Sequence, residues 1–131
     1  MQGMIRAPLA KVRERIGDMD TLPSFQEASI STRKLADYAL NPQHEKGSHK
    51  ARRFMATLGF DAADAAEIER QIRRQLPRTE AVKGKADKHG QRYAVDVKLT
   101  GPTGKAIVRT AWIVEAEGVP PRLVSLYVKE S

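Results

Sequence analysis

The hydrophobic positions change their spacing along the chain, and the change occurs near Pro77. Before this point, apolar residues recur at intervals of three and four, which is the spacing of one face of an α-helix. After it, apolar and polar residues alternate, which is typical of a strand with one buried face. This order predicts an α+β domain in which N-terminal helices pack on one face of a four- to five-stranded antiparallel sheet.

The most strongly patterned helix is predicted from about Ser48 to Leu58. Its apolar positions fall at i, i+3, i+4 and i+7 and form one face: Ala51, Phe54, Met55 and Leu58. Gly59 is placed to end the helix in the left-handed conformation. Because Lys50 and Arg53 lie on the opposite face, the helix is expected to be anchored by one side and to present cations on the other.

Two further helices are predicted around this one. Ser31 or Thr32 is suited to cap the start of a short helix. A longer helix is predicted over about 62–75, and Asp61 with Asp64 forms a capping box at its start. Capping explains these two carboxylates better than a metal site does, because the sequence shows no cluster with metal-ligand spacing.

The strands predicted after Pro77 lie within 79–88, 93–99, 105–114 and 122–128. The His89-Gly90 pair and the TGPTG run at 100–104 are signals for hairpin turns. The third strand is apolar on both faces apart from Arg109 and Thr110, which predicts an interior position in the sheet. Residues 24–30 give a weaker signal for a further short strand.

Composition adds a partner class to this fold. A chain of 131 residues fits one domain, here 25–131, preceded by a basic arm at 1–24. The net charge of +7 favours anionic partners, with nucleic acid ahead of an anionic membrane. The absence of cysteine excludes disulfides, thiolate metal sites and cysteine nucleophiles. No apolar run is long enough to span a membrane and no glycine-rich loop opens a helix, so neither a membrane nor a nucleotide cofactor is expected.

Candidate chemistry on the helical side lies between Tyr38 and Phe60. His44 lies in a loop, where a histidine can act as a general base or acid near neutral pH; the alternative is a surface histidine that caps the next helix. Lys46, Lys50 and Arg53 are candidates for binding phosphate groups. The alternative for these cations is a solvated helix face.

The sheet supplies a second set of candidates. Arg109 lies in an otherwise apolar strand, and a guanidinium there is costly unless it is paired or serves a site. Thr110 points to the opposite face of a regular strand, so the two cannot line one surface. On the last strand Ser125 and Tyr127 share a face, and Arg122 lies on the other unless the preceding prolines distort the strand.

Three segments resemble a known family: KLADYALNPQHEKGSHKARRFMATLGF at 34–60, GQRYAVDVKLTGPTGKAIVRTAWIV at 90–114, and PRLVSLY at 121–127. They resemble a bacterial domain family of unknown function, whose members stand alone or lie at the C-termini of toxin-like and phage proteins. That family is in turn similar to nucleases of the barnase, EndoU, colicin and RelE type. In those nucleases N-terminal helices pack on a four-stranded antiparallel sheet, and the open face cleaves RNA.

The resemblance implies a metal-independent endoribonuclease of toxin type, with RNA and a small acidic immunity or antitoxin protein as partners. It would act in the cytoplasm, or in a target-cell cytoplasm after delivery, and needs no cofactor. By position, the resemblance implies these site residues: His44, Lys50, Arg109, Thr110, Arg122, Ser125 and Tyr127. Two alternatives stay open, namely a non-catalytic nucleic-acid-binding module and an interaction domain of a phage or toxin system.

Overall fold

The computed structural model describes the backbone of residues 20–36 and 48–130 and the side chains of 20–36 and 51–129. The fold is α+β with a four-stranded antiparallel sheet, as predicted. In chain order, the helices lie between an isolated bridge at Ser29 and the first strand of the sheet. The helices are α1 (Thr32–Lys34), α2 (Ser48–Leu58) and α3 (Ala65–Gln75), and the strands are β1 (Ala81–Asp87), β2 (Gly90–Gly101), β3 (Gly104–Val114) and β4 (Arg122–Glu130).

Local signals in the sequence explain where these helices begin and end. Ser31 caps α1 by accepting a hydrogen bond from the Lys34 amide. Gly59 ends α2 with φ of 78°, in the left-handed region that glycine adopts without strain. Asp61 and Asp64 form the predicted capping box, which begins a 3-10 turn that runs into α3. The residues that cap α1 and α3 and that end α2 therefore lie within a few positions of those helices in the sequence.

The buried face of α2 is narrower than the sequence pattern predicts. Ala51, Phe54 and Leu58 are buried, but Met55 is 48% exposed. Met55 lies about 100° around the helix from Phe54, so it falls at the flank of the buried stripe. The predicted burial of Met55 is therefore wrong, because the width of the contact is set by what the helix packs against.

The sheet has the order β1-β2-β3-β4, and β3 has the interior position that was predicted. Neighbouring strands along the chain pair directly, and each pair is antiparallel. The segment 24–30 forms only an isolated parallel bridge between Ser29 and Arg122. Hydrogen bonds from the Ser29 amide to Pro121 O (2.8 Å) and from the Leu123 amide to Ser29 O (2.9 Å) hold this segment beside the start of β4.

The core lies between the helices and one face of the sheet. Tyr93 is partly buried and packs against the fully buried residues of this core, which include Phe54, Leu58, Ile68, Ile72, Val95, Val97 and Trp112. Leu22 is also buried, and the Ala81 amide donates a hydrogen bond of 2.7 Å to Asp20 O. Residues 20–24, assigned to the arm from the sequence, thus pack against the domain.

Two glycines allow α2 to approach the β2–β3 hairpin closely. A Cβ at Gly101 would overlap the Leu58 carbonyl, and one at Gly104 would lie 2.7 Å from Thr57 O. The hairpin returns a hydrogen bond of 3.1 Å from the Thr103 amide to Leu58 O. The C-terminal end of α2 is thereby fixed on the hairpin, and the opposite face of the sheet is left uncovered by α2.

Candidate functional site

The face of the sheet that points away from the core is called here the open face. Residues that pair across β2, β3 and β4 form rows on this face, because directly opposite residues in antiparallel strands project to the same side. Three of these rows contain candidate residues: Arg92, Ile113 and Arg122; Ala94, Ala111 and Ser125; Asp96, Arg109 and Tyr127.

A β-bulge in β4 determines which of its side chains reach the open face. The register shifts after Ala111, which pairs with Ser125, and Val124 is left as an extra residue. Arg122 pairs with Ile113 and so lies on the same face as Ser125. In a strand without the bulge, the odd spacing of three residues between Arg122 and Ser125 would place the arginine on the core face. The structure thus brings three predicted residues of β4 to one face.

An open cavity of about 520 Å³ lies at one end of the open face. Its floor includes Ile113, which is only 3% exposed. The cavity, called here the cationic cavity, is lined by Lys88, His89, Arg92, Ile113, Glu115, Arg122 and Val124. Glu115 is the carboxylate among these residues, and it forms a salt bridge of 3.1 Å with Arg122.

The β1–β2 turn brings His89 to this cavity. Gly90, with φ of 131°, begins β2 directly against the end of β3, and a Cβ there would lie 2.8 Å from the Glu115 Cα. The His89 amide donates a hydrogen bond of 2.8 Å to Asp87 Oδ1. This hydrogen bond also lowers the pKa of Asp87. The turn is therefore held tightly, with His89 and Glu115 at adjoining ends of two paired strands.

Most of the cationic cavity was missed by sequence reasoning. Of its residues, the sequence singled out Arg122 as a site candidate, whereas His89 was assigned only to a turn. Arg92 and Glu115 each adjoin a strand predicted from the sequence, at 93–99 and 105–114, and neither was a site candidate. The signal that joins them is the strand register, since Arg92 and Arg122 both pair with Ile113.

Arg109 is engaged in an ion-pair cluster on the open face. Its Nε and Nη2 atoms donate to the two carboxylate oxygens of Asp96 at 2.8 and 3.0 Å. Lys129 Nζ donates to Asp96 Oδ2 at 2.8 Å. The hydrogen bond from Arg109, followed by that from Lys129, lowers the pKa of Asp96 to about 2. Asp96 in turn raises the pKa of Arg109, with a smaller contribution from Tyr127, so the guanidinium is paired as the sequence required.

Thr110 lies in the core, on the face opposite Arg109. Its side chain is fully buried. The hydroxyl donates to Val95 O at 2.7 Å and accepts a hydrogen bond of 2.8 Å from Trp112 Nε1. The structure therefore does not bring Thr110 together with the other sheet candidates, as the alternation of faces implied.

The remaining candidates belong to the helical layer or lie outside the described residues. Arg53 is exposed on α2, and α2 is anchored in the core by Phe54, so Arg53 and the open face lie on different sides of the sheet. The backbone of Lys50 is in the first turn of α2, and its side chain falls outside the description. His44 and Lys46 lie outside the described residues, and their predicted roles stay predictions.

Among the described side chains, those of 20–36 and 51–129, no three or more of His, Asp or Glu are grouped so that they could hold a metal ion. In the same part of the chain, no helix combines the length and apolar character that crossing a membrane requires.

Comparison with known proteins places the chain in a family. No curated protein and no solved structure matches it significantly. A family model, in contrast, matches residues 21–130, which include the helices, all four strands and the cationic cavity. The chain therefore belongs to the family described as Domain of unknown function (DUF6883).

Proposed function

We propose that this protein is a metal-independent endoribonuclease that binds RNA on the open face of its sheet. The observation that carries the proposal is the cationic cavity. Lys88, Arg92 and Arg122 supply three positive charges there, against the single carboxylate of Glu115. Arginine and lysine side chains gathered around a concave surface favour phosphate groups.

The extent of the open face favours a polymeric anion over a small phosphate. The row that contains Arg122 and the row that contains Arg109 are four residues apart along β3, which corresponds to about 13 Å at 3.3 Å per residue. A single phosphate cannot contact both rows. The row between them carries the short side chains of Ala94, Ala111 and Ser125, so an extended chain can cross the face without steric conflict.

Backbone contacts are expected to dominate this recognition. Aromatic residues make up 5% of the chain, which leaves few surfaces for stacking bases. Tyr127, at 38% exposure, offers one such ring on the open face. Contacts to phosphates position a nucleic acid without reading its sequence, so selectivity for particular RNAs would come from the shape of the bound segment.

The proposed reaction is attack of a ribose 2′-hydroxyl on the adjacent phosphorus. It needs a base near the hydroxyl, an acid near the leaving oxygen and cations near the phosphoryl oxygens. Arg92 and Arg122 would stabilise the negative charge that develops on those oxygens, and Ser125 would orient the phosphate. His44, which the resemblance places in the site, stays a candidate for the base or the acid.

The test is incubation of the purified protein with total RNA in EDTA, beside a DNA and a 2′-O-methyl RNA of one defined sequence. We expect cleavage of RNA in EDTA, with 2′,3′-cyclic phosphate ends, and binding of the other two polymers without cleavage. Activity that requires magnesium would overturn the mechanism. Binding of all three polymers without cleavage would favour the binding-module alternative, and absence of binding at low salt would exclude nucleic acid as the partner.

The proposed toxin context implies a protein inhibitor. A small acidic protein would be attracted to the basic surface of this chain, whose net charge is +7. We propose that such an inhibitor covers the cationic cavity. A neighbouring gene for a small acidic protein, whose product blocks RNA cleavage when mixed with this protein, would support the context.

A further inference from the structure

We infer that Glu115 and His89 are the base and the acid of the proposed cleavage. The inference rests on the proposed function, and it assigns proton transfer to residues of the cationic cavity instead of His44. Neither residue was a site candidate from the sequence. Their positions in the folded sheet, together with the chemistry of their partners, lead to the assignment.

The first step of the argument is the position of the two side chains. Both line the same cavity. His89 precedes Gly90, and the Gly90 backbone packs on the Glu115 Cα so closely that a Cβ would lie 2.8 Å from it. An imidazole and a carboxylate thus lie in a turn and in a loop that directly adjoin the ends of two paired strands.

The second step is the state of each group before substrate binds. Glu115 forms a salt bridge of 3.1 Å with Arg122, and a carboxylate can accept a proton but not donate one. Among the hydrogen bonds of the described residues, His89 takes part through its backbone amide and not through its ring. The ring is therefore available to carry a proton to a ligand.

The third step is the balance of the reaction. Glu115 takes the proton of the 2′-hydroxyl while the 2′-oxygen forms a bond to phosphorus. The bond between phosphorus and the 5′-oxygen breaks, and the His89 imidazolium gives its proton to that oxygen. The products are a 2′,3′-cyclic phosphate and a free 5′-hydroxyl. Proton exchange with water then restores the carboxylate and the imidazolium.

The cations of the cavity complete the site. Arg122 holds the Glu115 carboxylate at the cavity wall, and Arg92 lies in the same cross-strand row as Arg122. Lys88 stands beside His89 in the turn and also lines the cavity. A phosphate bound among these three cations would lie in the cavity that the base and the acid both line, where proximity favours the reaction.

The experiment separates chemistry from binding. Wild type, Glu115→Gln and His89→Ala are compared for single-turnover cleavage of one RNA and for affinity toward its 2′-O-methyl form, which lacks the nucleophile. Each variant should lose about 10²–10⁴-fold in rate without a loss of affinity for the 2′-O-methyl RNA large enough to account for it. Glu115→Gln, which removes the carboxylate that opposes the cavity cations, should bind at least as tightly as wild type. Glu117→Gln is the matched control, because Glu117 is exposed in the same loop but does not line the cavity; its rate and affinity should equal those of wild type.

The pH dependence gives a second readout that a structural role would not change. A required acid produces a fall in rate at high pH, and His89→Ala should remove that limb from its residual activity. Full cleavage activity of His89→Ala, or a loss of affinity that accounts for the whole loss of rate, would overturn the inference while the proposed function stands. A wild-type protein that binds RNA but does not cleave it would remove both.

Discussion

Arg109 and Thr110 are neighbours in β3 that serve opposite sides of the sheet. The Thr110 hydroxyl takes part in two buried hydrogen bonds, one donated to Val95 O and one accepted from the Trp112 indole. Arg109 is held by both oxygens of Asp96 on the open face. A charged residue in an apolar strand suggested either pairing or a site, and the structure shows pairing. The ion pair with Asp96 therefore fixes the orientation of the Arg109 guanidinium on the open face before any ligand binds.

Asp96 is expected to make stability depend on acid pH. Its folded-state pKa of about 2 lies below its usual value of 3.8, so its contribution is fully present above about pH 4 and is lost as the pH falls toward 2. Because about a third of the Asp96 and Arg109 side chains is exposed, solvent screening reduces the effect to on the order of 1 kcal/mol. Asp96→Asn should flatten the fall in unfolding free energy over this range.

Urea unfolding at a series of pH values measures this change. Glu117→Gln removes a carboxylate from an exposed loop position and serves as the control, since its curve should run parallel to that of wild type. Identical acid sensitivity of wild type and Asp96→Asn would show that the cluster around Asp96 contributes nothing to folding.

At the scale of whole elements, the sequence predicted the features that depend on residues close together in the chain. The ends of α2 and α3 follow from Gly59 and from the Asp61–Asp64 capping box, and both signals act within a few residues. The bulge at Val124 and the exposure of Met55 were not predicted. Both depend on the partner that each element packs against, and the hydrophobic period of a single segment carries no information about that partner.

The contact between α2 and the β2–β3 hairpin yields a prediction about element packing. Gly101→Ala would drive a methyl group into the Leu58 carbonyl, so the helix end must shift, at a cost of about 1–3 kcal/mol in unfolding free energy. Gly84→Ala is the matched control in β1, because its Cβ would meet Arg92 O at an ordinary 3.6 Å. Thermal unfolding compares the two; equal midpoints would mean that the hairpin does not position α2.

The cationic cavity exists only at the scale of the whole molecule. Its side chains come from three chain segments: 88–92 around the first hairpin turn, 113–115 at the end of β3, and 122–124 at the start of β4. Each segment reads as an ordinary turn or strand end when taken alone. Pairing register brings them together, and register depends on long-range contacts that no single motif encodes. The sequence therefore indicated an anionic partner but not this cavity as a place for it to bind.

Net charge alone does not decide which of two surfaces binds an anionic partner. The helical layer presents Arg52 and Arg53 to solvent on α2, and the sequence favoured this side through Lys50 and Arg53. The open face presents the cationic cavity instead. Because α2 is anchored on the core side of the sheet, one phosphate cannot contact both surfaces, and the salt dependence of binding can assign the contacts.

We expect Arg92 and Arg122 of the cationic cavity to account for the salt dependence of RNA binding. For single-stranded RNA, each phosphate contact contributes about 0.7 to the slope of log affinity against log salt concentration. Replacing Arg92 and Arg122 by alanine should flatten the slope by about twice that value, since two contacts and their released counterions are lost. Arg52→Ala with Arg53→Ala removes the same charge from the helical layer and should leave the slope unchanged. Fluorescence anisotropy of a labelled 2′-O-methyl RNA over a salt series measures both pairs without interference from cleavage. If the helical pair flattens the slope and the cavity pair does not, RNA binds beside α2 and the open face is not the site.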